Sequence, residues 1–293
     1  MSRAGEKLAP AYAEHRIASE GGRLFVRDYA GEGPAFVMLH GFPDNGHIFD
    51  ELIPHLVAGG RRAVVFDFLG FGDSDKPPLA AYSFAQQLGD LEAVVAALGL
   101  DKIVPVGHDA GGPAAINFAL RHPGQVAEIC LMNAFYSYAP SLRFPEFIEL
   151  FATKSQKDLT THFLRSPPQF AWLLSFQRRQ MQANMTATQI AHYNAFLGPI
   201  IEKNFANGAG AAFAQMTFQL FDEVEANQQR LPDFRRLDVP VKLIWGGDDA
   251  YLNVGVAEDI AAQAKHAVLH RLEAGHWPQI DEPRKAAALM LAD

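Results

Sequence analysis

The segment that most constrains this chain is Gly107-His108-Asp109-Ala110-Gly111-Gly112. It follows a β-type run, Lys102 to Val106, and opens a helix-type run, Ala110 to His122, which ends before Pro123. A strand that becomes a helix over so few residues has to turn sharply. The small residues at 107 and 111 let the turn approach its neighbours, and Asp109 sits strained at the tip with its side chain aimed into a cavity. A strand that feeds a helix directly is also the building unit of an α/β fold.

Similar units recur along the chain. Short runs of strand type cover Leu24 to Tyr29, Ala35 to His40, Ala63 to Asp67, Ile103 to Gly107, Ile129 to Asn133, Val241 to Trp245 and Ala267 to Leu272. Most are continuously apolar and bounded by Gly or Pro, the pattern of a mostly parallel sheet covered by helices on both faces. Ser83 to Leu98 repeats apolar residues at helical spacing and stops at Gly99. Between about Phe135 and Leu231 strand-type runs disappear, and aromatics, Gln and Met rise at helical spacing. The expected organisation is a core of residues 1–134 and 232–293 with a helical cap, 135–231, inserted over the ends of the sheet.

A chain of 293 residues, 49% hydrophobic and 20% charged, buries enough surface to need no disulfide or metal. Its net charge of −8 argues against binding nucleic acid. The basic doublets Arg61-Arg62, Arg178-Arg179 and Arg235-Arg236 read as solvated ends of elements. The single cysteine, Cys130, lies in an apolar run and reads as a core residue, consistent with the cytoplasm. MSRAGEKLAPAYAEH has no apolar segment of signal-peptide type, and no apolar run is long enough to cross a membrane. The histidines lack metal-ligand spacing and no GxGxxG follows a strand, so neither a metal nor another cofactor is expected. No feature of the chain sets an oligomeric state.

An elbow of this kind usually carries serine, in G-x-S-x-G. Aspartate in that place changes the chemistry. A carboxylate is ionised near neutral pH and needs no base in order to attack. It can displace a leaving group from an sp3 carbon and form an alkyl-enzyme ester, which water then hydrolyses with the help of a general base. His276, in Ala274-Gly275-His276-Trp277-Pro278 just after the last strand run, is the candidate base. Asp249, in Trp245-Gly246-Gly247-Asp248-Asp249, is the candidate partner that orients the imidazole. Its neighbour Asp248 competes for that role, and the G-x-x-D spacing from Gly246 favours Asp249. His40 and His108 read as structural, hydrogen-bonded histidines.

At these residues the chain resembles the α/β-hydrolase superfamily, which orders its triad as nucleophile, acid, histidine. Within it the resemblance is to the aspartate-nucleophile branch of epoxide hydrolases, haloalkane dehalogenases and fluoroacetate dehalogenases. It spans the whole chain, the cap least. The resemblance implies an oxyanion hole from the backbone amides of Phe42, after His40-Gly41, and Ala110, after the nucleophile. His40-Gly41-Phe42-Pro43-Asp44 looks like the HGxP loop of epoxide hydrolases, whereas Phe66 to Pro77 looks like a stretch of haloalkane dehalogenases.

Departures from both patterns leave the leaving-group machinery open. Ala110 stands where haloalkane dehalogenases carry a halide-binding Trp and fluoroacetate dehalogenases an Arg. Phe42 stands where many haloalkane dehalogenases carry Asn. The stretch Gln215 to Gln219, where epoxide hydrolases commonly place a second cap tyrosine, has none. Candidates to hold a leaving group are Tyr136, Tyr138, His162, Trp172 and Tyr193, each of which, taken singly, reads first as a residue packed in the cap. Tyr193 is the leading candidate acid and Trp172 the leading halide donor.

The expectation is a hydrolase acting on a small hydrophobic substrate with water, epoxide opening ahead of dehalogenation of an alkyl halide or halo-acid. Ester or lactone hydrolysis ranks third, because an aspartate would form an anhydride. A non-catalytic binding protein on the same fold is the different-class alternative, opposed by the complete triad.

Overall fold

The computed structural model describes residues 10–292. Most of the N-terminal stretch read for a signal peptide therefore lies outside the described residues.

The strands are β1 (Ala13–Ser19), β2 (Gly22–Tyr29), β3 (Glu32–Leu39), β4 (Arg61–Phe66), β5 (Ile103–Asp109), β6 (Ile129–Ala134), β7 (Val241–Gly246) and β8 (Ala267–Leu272). They form one sheet in the order β1-β2-β4-β3-β5-β6-β7-β8. β1 and β2 pair antiparallel, as do β2 and β4, and every later pairing is parallel. The expected strands appear within a few residues of their sequence bounds. β1 was not expected: it carries no apolar run, and only Ile17 of its residues is buried. An edge strand with one paired side tolerates that polarity.

The strands alternate sides. On β3, Val37 and Leu39 join the core on one face of the sheet, while Phe36 and Met38 join the core on the other. β6 and β7 are buried along their whole length, which is why they read as unbroken apolar runs.

Around the sheet lie α1 (Ile53–Ala58), α2 (Phe84–Ala97) and α3 (Gly111–Arg121). The Ser83 side chain caps α2 by accepting from the Gln86 amide, and Gly99 follows at φ 58°. Between β6 and β7 the regular elements of the described chain are all helical: α4 (Glu146–Ala152), α5 (Lys157–Arg165), α6 (Pro167–Gln182), α7 (Ala187–His192), α8 (Gly198–Ala206), α9 (Gly210–Phe218) and α10 (Leu220–Arg236). α10 carries Pro232 in its interior, so residue 231 is not the end of an element. α11 (Val254–Gln263) connects β7 to β8, and α12 (Pro278–Asp281) and α13 (Pro283–Leu291) follow β8. Aromatic packing joins the inserted helices to the core. Phe213 of α9 stacks on Phe147 of α4 at 4.7 Å and meets the edge of Phe42 at 6.2 Å.

Candidate active site

The elbow between β5 and α3 has the strain expected of it. Asp109 lies at φ 49°, a left-handed conformation uncommon for a residue with a side chain. Three glycines make room for it. A Cβ on Gly107 would lie 2.9 Å from the Gly111 carbonyl oxygen, one on Gly111 2.3 Å from the Leu39 carbonyl oxygen, and one on Gly41 2.4 Å from Asp109 Oδ2. The loop after β3 and the start of α3 therefore close directly around the Asp109 carboxylate.

Two backbone amides point at that carboxylate. The Phe42 N–H donates to Oδ2 at 3.4 Å, and the Ala110 N–H also hydrogen-bonds it. These are the two amides expected from the resemblance. Burial pushes the Asp109 carboxyl up to about 6, against the pull of the His276 charge and of the two amides.

The other Asp109 oxygen, Oδ1, lies 4.0 Å from His276 Nε2. On the far side of the imidazole, Nδ1 is 2.6 Å from Asp249 Oδ2. Burial alone would pull the His276 imidazolium down. The Asp249 carboxylate, through its charge and its hydrogen bond, and the Asp109 charge more than reverse this and raise it to about 9. Burial likewise works against an ionised Asp249, but the His276 charge and hydrogen bond hold it below the usual carboxylate range. The Tyr251 and Leu252 amides donate to Asp249 Oδ1 at 2.9 and 3.1 Å.

Between Asp248 and Asp249 the geometry is unambiguous: Asp249 meets the imidazole, and Asp248 accepts from the Gln189 amide of α7 at 3.0 Å. Sequence reading missed Asn133. At φ 35° on the end of β6, it donates to Asp249 Oδ2 at 3.0 Å and accepts from the Gly246 amide at 2.7 Å. Only its place at the end of an apolar strand, beside the elbow strand, was available as a signal. His108 is fully buried and donates from Nε2 to the His276 carbonyl at 2.9 Å. Burial and the nearby His276 charge hold it down at about 4, so it stays neutral. His40 is likewise buried, its Nε2 accepting from the Phe68 amide at 3.1 Å. Both therefore serve the scaffold.

In front of Asp109 lies a cavity of about 290 Å³. Phe42, Phe135, Phe147, Ile148, Leu220 and Trp277 form much of its wall, with Gln177, Arg178, Glu202 and Tyr251 adding polar groups. Tyr193 also lines it, and its hydroxyl has no hydrogen-bond partner among the described residues. It opens a single π-helical turn, Tyr193–Leu197, that continues α7.

Four other sequence candidates lie elsewhere. Trp172 is 57% exposed on α6 and stacks on Phe176, outside the cavity wall. Amphipathic spacing puts position 172 on the outer face of α6, while Ala171, Leu174 and Ser175 face the cavity. Tyr138 is exposed on a loop. Tyr136 is buried, with its hydroxyl donating to Asn117 at 2.9 Å behind the site. His162 sits on α5, away from the wall. Among the wall residues assigned no role from the sequence are Tyr251, two positions past Asp249, and Asp44 of the loop after β3, whose buried carboxylate accepts from the Trp277 indole at 3.4 Å.

Among the described residues no cluster of side chains is arranged to hold a metal, and no helix is long and apolar enough to cross a membrane.

Comparison with known proteins agrees with this architecture. The family model for the α/β-hydrolase fold matches residues 34–283. Epoxide hydrolase 3 of Xenopus tropicalis is 26% identical over 302 residues, covering 95% of this chain and 79% of that protein. A fluoroacetate dehalogenase from Burkholderia sp is 33% identical over 129 residues, covering 43% of this chain and 42% of that protein. Among solved structures, a thermophilic esterase from Thermogutta terrifontis superposes with a TM-score of 0.76 at 19% identity, covering 95% and 96% of the two chains. The strand order, the elbow and the match over most of its length make this chain a member of the α/β-hydrolase fold family, and a hydrolase.

Proposed function

We propose that this hydrolase opens small hydrophobic epoxides through a covalent ester on Asp109, with α4–α10 acting as a cap over the site. One observation carries the reading: an aspartate sits at the elbow with two amides on its carboxylate and a histidine–aspartate pair facing its Oδ1.

Asp109 Oδ1 attacks an epoxide carbon from the cavity side, and the carbon–oxygen bond of the ring breaks. The departing oxygen takes a proton from the Tyr193 hydroxyl, which lines the cavity and has no hydrogen-bond partner among the described residues. Ester formation removes the Asp109 charge. That charge helps hold His276 protonated, so the imidazolium becomes more acidic once the ester exists. The imidazolium passes its proton through water to the Tyr193 phenolate; neutral His276 then takes a proton from a second water, whose hydroxide attacks the Asp109 carbonyl carbon. The Phe42 and Ala110 amides stabilise the oxyanion, a contribution of about 3 kcal/mol for a well-placed donor. On collapse the departing diol oxygen takes the proton from His276, and the Asp109 carboxyl gives its own proton to the imidazole, restoring the carboxylate and the imidazolium. An apolar cavity wall suits a hydrophobic substrate.

Dehalogenation of a halo-acid is the second reading. Arg178 in the cavity wall favours it, as does the similarity to a fluoroacetate dehalogenase. Against it, Arg178 lies 3.7 Å from Glu202 and over the Tyr193 ring. The indole N–H of Trp277 is directed at Asp44, whose charge repels a departing halide.

Two assays separate the readings. The purified protein is offered styrene oxide with diol formation followed, and bromoalkanes, chloroalkanes and halo-acetates with halide release followed. Diol without halide is expected; halide without diol overturns the epoxide reading in favour of the second. His276→Gln tests the covalent route, because Asp109 needs no base to attack. The expected outcome is a stable mass increase equal to one substrate molecule. Its absence with a substrate the native enzyme turns over defeats the ester mechanism.

A further inference from the structure

α7 touches both loops that carry the histidine and its acid partner, and it leads into the turn that carries Tyr193. Gln189 is the reason for the first contact. Its side-chain oxygen accepts from the Thr186 amide at 2.8 Å, closing the capping box at the start of α7. The same side chain's nitrogen donates to Asp248 Oδ2 at 3.0 Å, one residue before Asp249. The residue is 7% exposed, so water does not readily replace either bond. His192, at the last turn of α7, makes the second contact. Its Nδ1 lies 3.0 Å from Asp281 Oδ1, while Asp281 Oδ2 accepts from the Gly275 amide at 2.9 Å, one residue before His276. Tyr193 follows immediately and packs against Trp277 with ring centroids 6.2 Å apart.

We propose that Gln189 and His192 are positioning residues, making α7 a strut that holds the Asp248-Asp249 and Gly275-His276 loops in register with Tyr193. The inference rests on the epoxide reading for the role of Tyr193, but its contacts exist without a substrate. The two loops, which meet through the Asp248 N–H donating to the Ala274 carbonyl at 2.9 Å, are both tied to one short helix, the second through Asp281 of α12. Loss of either tie loosens the His276–Asp249 pair, and the step that depends on that pair is hydrolysis of the ester rather than its formation.

Gln189→Glu isolates the tie. Glutamate keeps the oxygen that caps α7, but it replaces the donor facing Asp248 with a second carboxylate. Asp248→Asn in the same chain restores a donor–acceptor pair in the opposite sense, and Asp248→Asn alone retains an acceptor for Gln189. With styrene oxide, rapid-quench mass measurement gives the rates of ester formation and ester hydrolysis separately. Hydrolysis is expected to slow about tenfold in Gln189→Glu, with ester formation changed less than threefold, and the double variant is expected to recover to within about threefold. Equal slowing of both steps, or no recovery in the double variant while its Tm matches the native protein, overturns the strut.

A substrate-free measurement keeps this test apart from the epoxide reading. The downfield proton resonance of the His276 Nδ1–H is expected to shift in Gln189→Glu and to return in the double variant. His192→Ala and His192→Asn give a second pair: asparagine retains an N–H for Asp281 and is expected to preserve the resonance, whereas alanine is expected to move it. A native enzyme that forms no ester from any epoxide defeats the epoxide reading and leaves these resonances to decide the strut. Unmoved resonances overturn it.

Discussion

Asp109 carries a conflict between folding and chemistry. Its carboxyl is raised from 3.8 to about 6, chiefly by burial, so the fold favours the protonated form. The sign is the reverse of a salt-bridged aspartate: the contribution to stability is present below the unfolded value and is lost as pH rises through about 6. Above that pH the ionised group costs about 3 kcal/mol. Asp109→Asn is therefore expected to raise Tm by roughly 5 °C at pH 8 and to leave it nearly unchanged at pH 3.5, as read by calorimetry. Asparagine also tolerates the positive φ, so the backbone strain stays constant. The same shift sets an activity limit. On the proposed mechanism only the carboxylate attacks, and without the His276 charge that pulls the Asp109 carboxyl down, the rate of ester formation in His276→Gln is expected to fall tenfold per pH unit at and below 6. A flat rate between pH 7 and 4.5 contradicts the assignment of Asp109 as attacking group.

At the scale of elements, the β5–α3 elbow depends on close backbone approach. Gly111 meets the Leu39 carbonyl on β3, and backbone does not rotate aside as a side chain would. Gly111→Ala is expected to lower stability by about 3 kcal/mol in a urea titration and to reduce activity further by displacing the Ala110 amide. A loss below half a kcal/mol means that β3 and α3 slide apart more freely than their packing indicates. The elbow itself was readable in the sequence, because Gly-His-Asp-Ala-Gly-Gly after an apolar run admits few other conformations. β1 was not readable, since its side chains alternate among polar types and it gains its place from pairing with β2. Asn133 was equally opaque: a polar residue closing an apolar strand reads as a turn, and only the neighbouring β7 reveals its hydrogen bonds to Gly246 and Asp249.

For the whole molecule, the inserted helices and the core are joined at a few polar points. Asn204 of α8 is the clearest. It donates to the Pro43 and Asp44 carbonyls at 2.8 and 3.0 Å and accepts from the Gly72 amide at 2.8 Å. Asn204→Ala leaves three buried backbone groups unpaired and is expected to cost about 3 kcal/mol. Because Pro43 adjoins Phe42, the variant is also expected to lose activity beyond its loss of stability, measured as kcat well below Tm. Retained kcat shows that the Phe42 amide is held by the core alone.

The amino-acid order by itself determined the α/β-hydrolase architecture, the elbow at Asp109 and the candidate partners His276 and Asp249, all of them local patterns. Gly spacing, apolar runs and the residue after each strand are read within a few positions, and backbone sterics leave them little freedom. Which aromatic of the inserted helices faces the cavity is a different kind of fact. Tyr193 and Trp172 are alike in sequence as large residues at helical spacing, yet one lines the cavity and the other stacks outside on Phe176. That choice depends on how α6 and α7 rotate when they pack on the core, a sum of many weak long-range contacts. Tertiary structure alone decided it, and with it the placing of Gln189, His192 and Tyr251 around the histidine–aspartate pair.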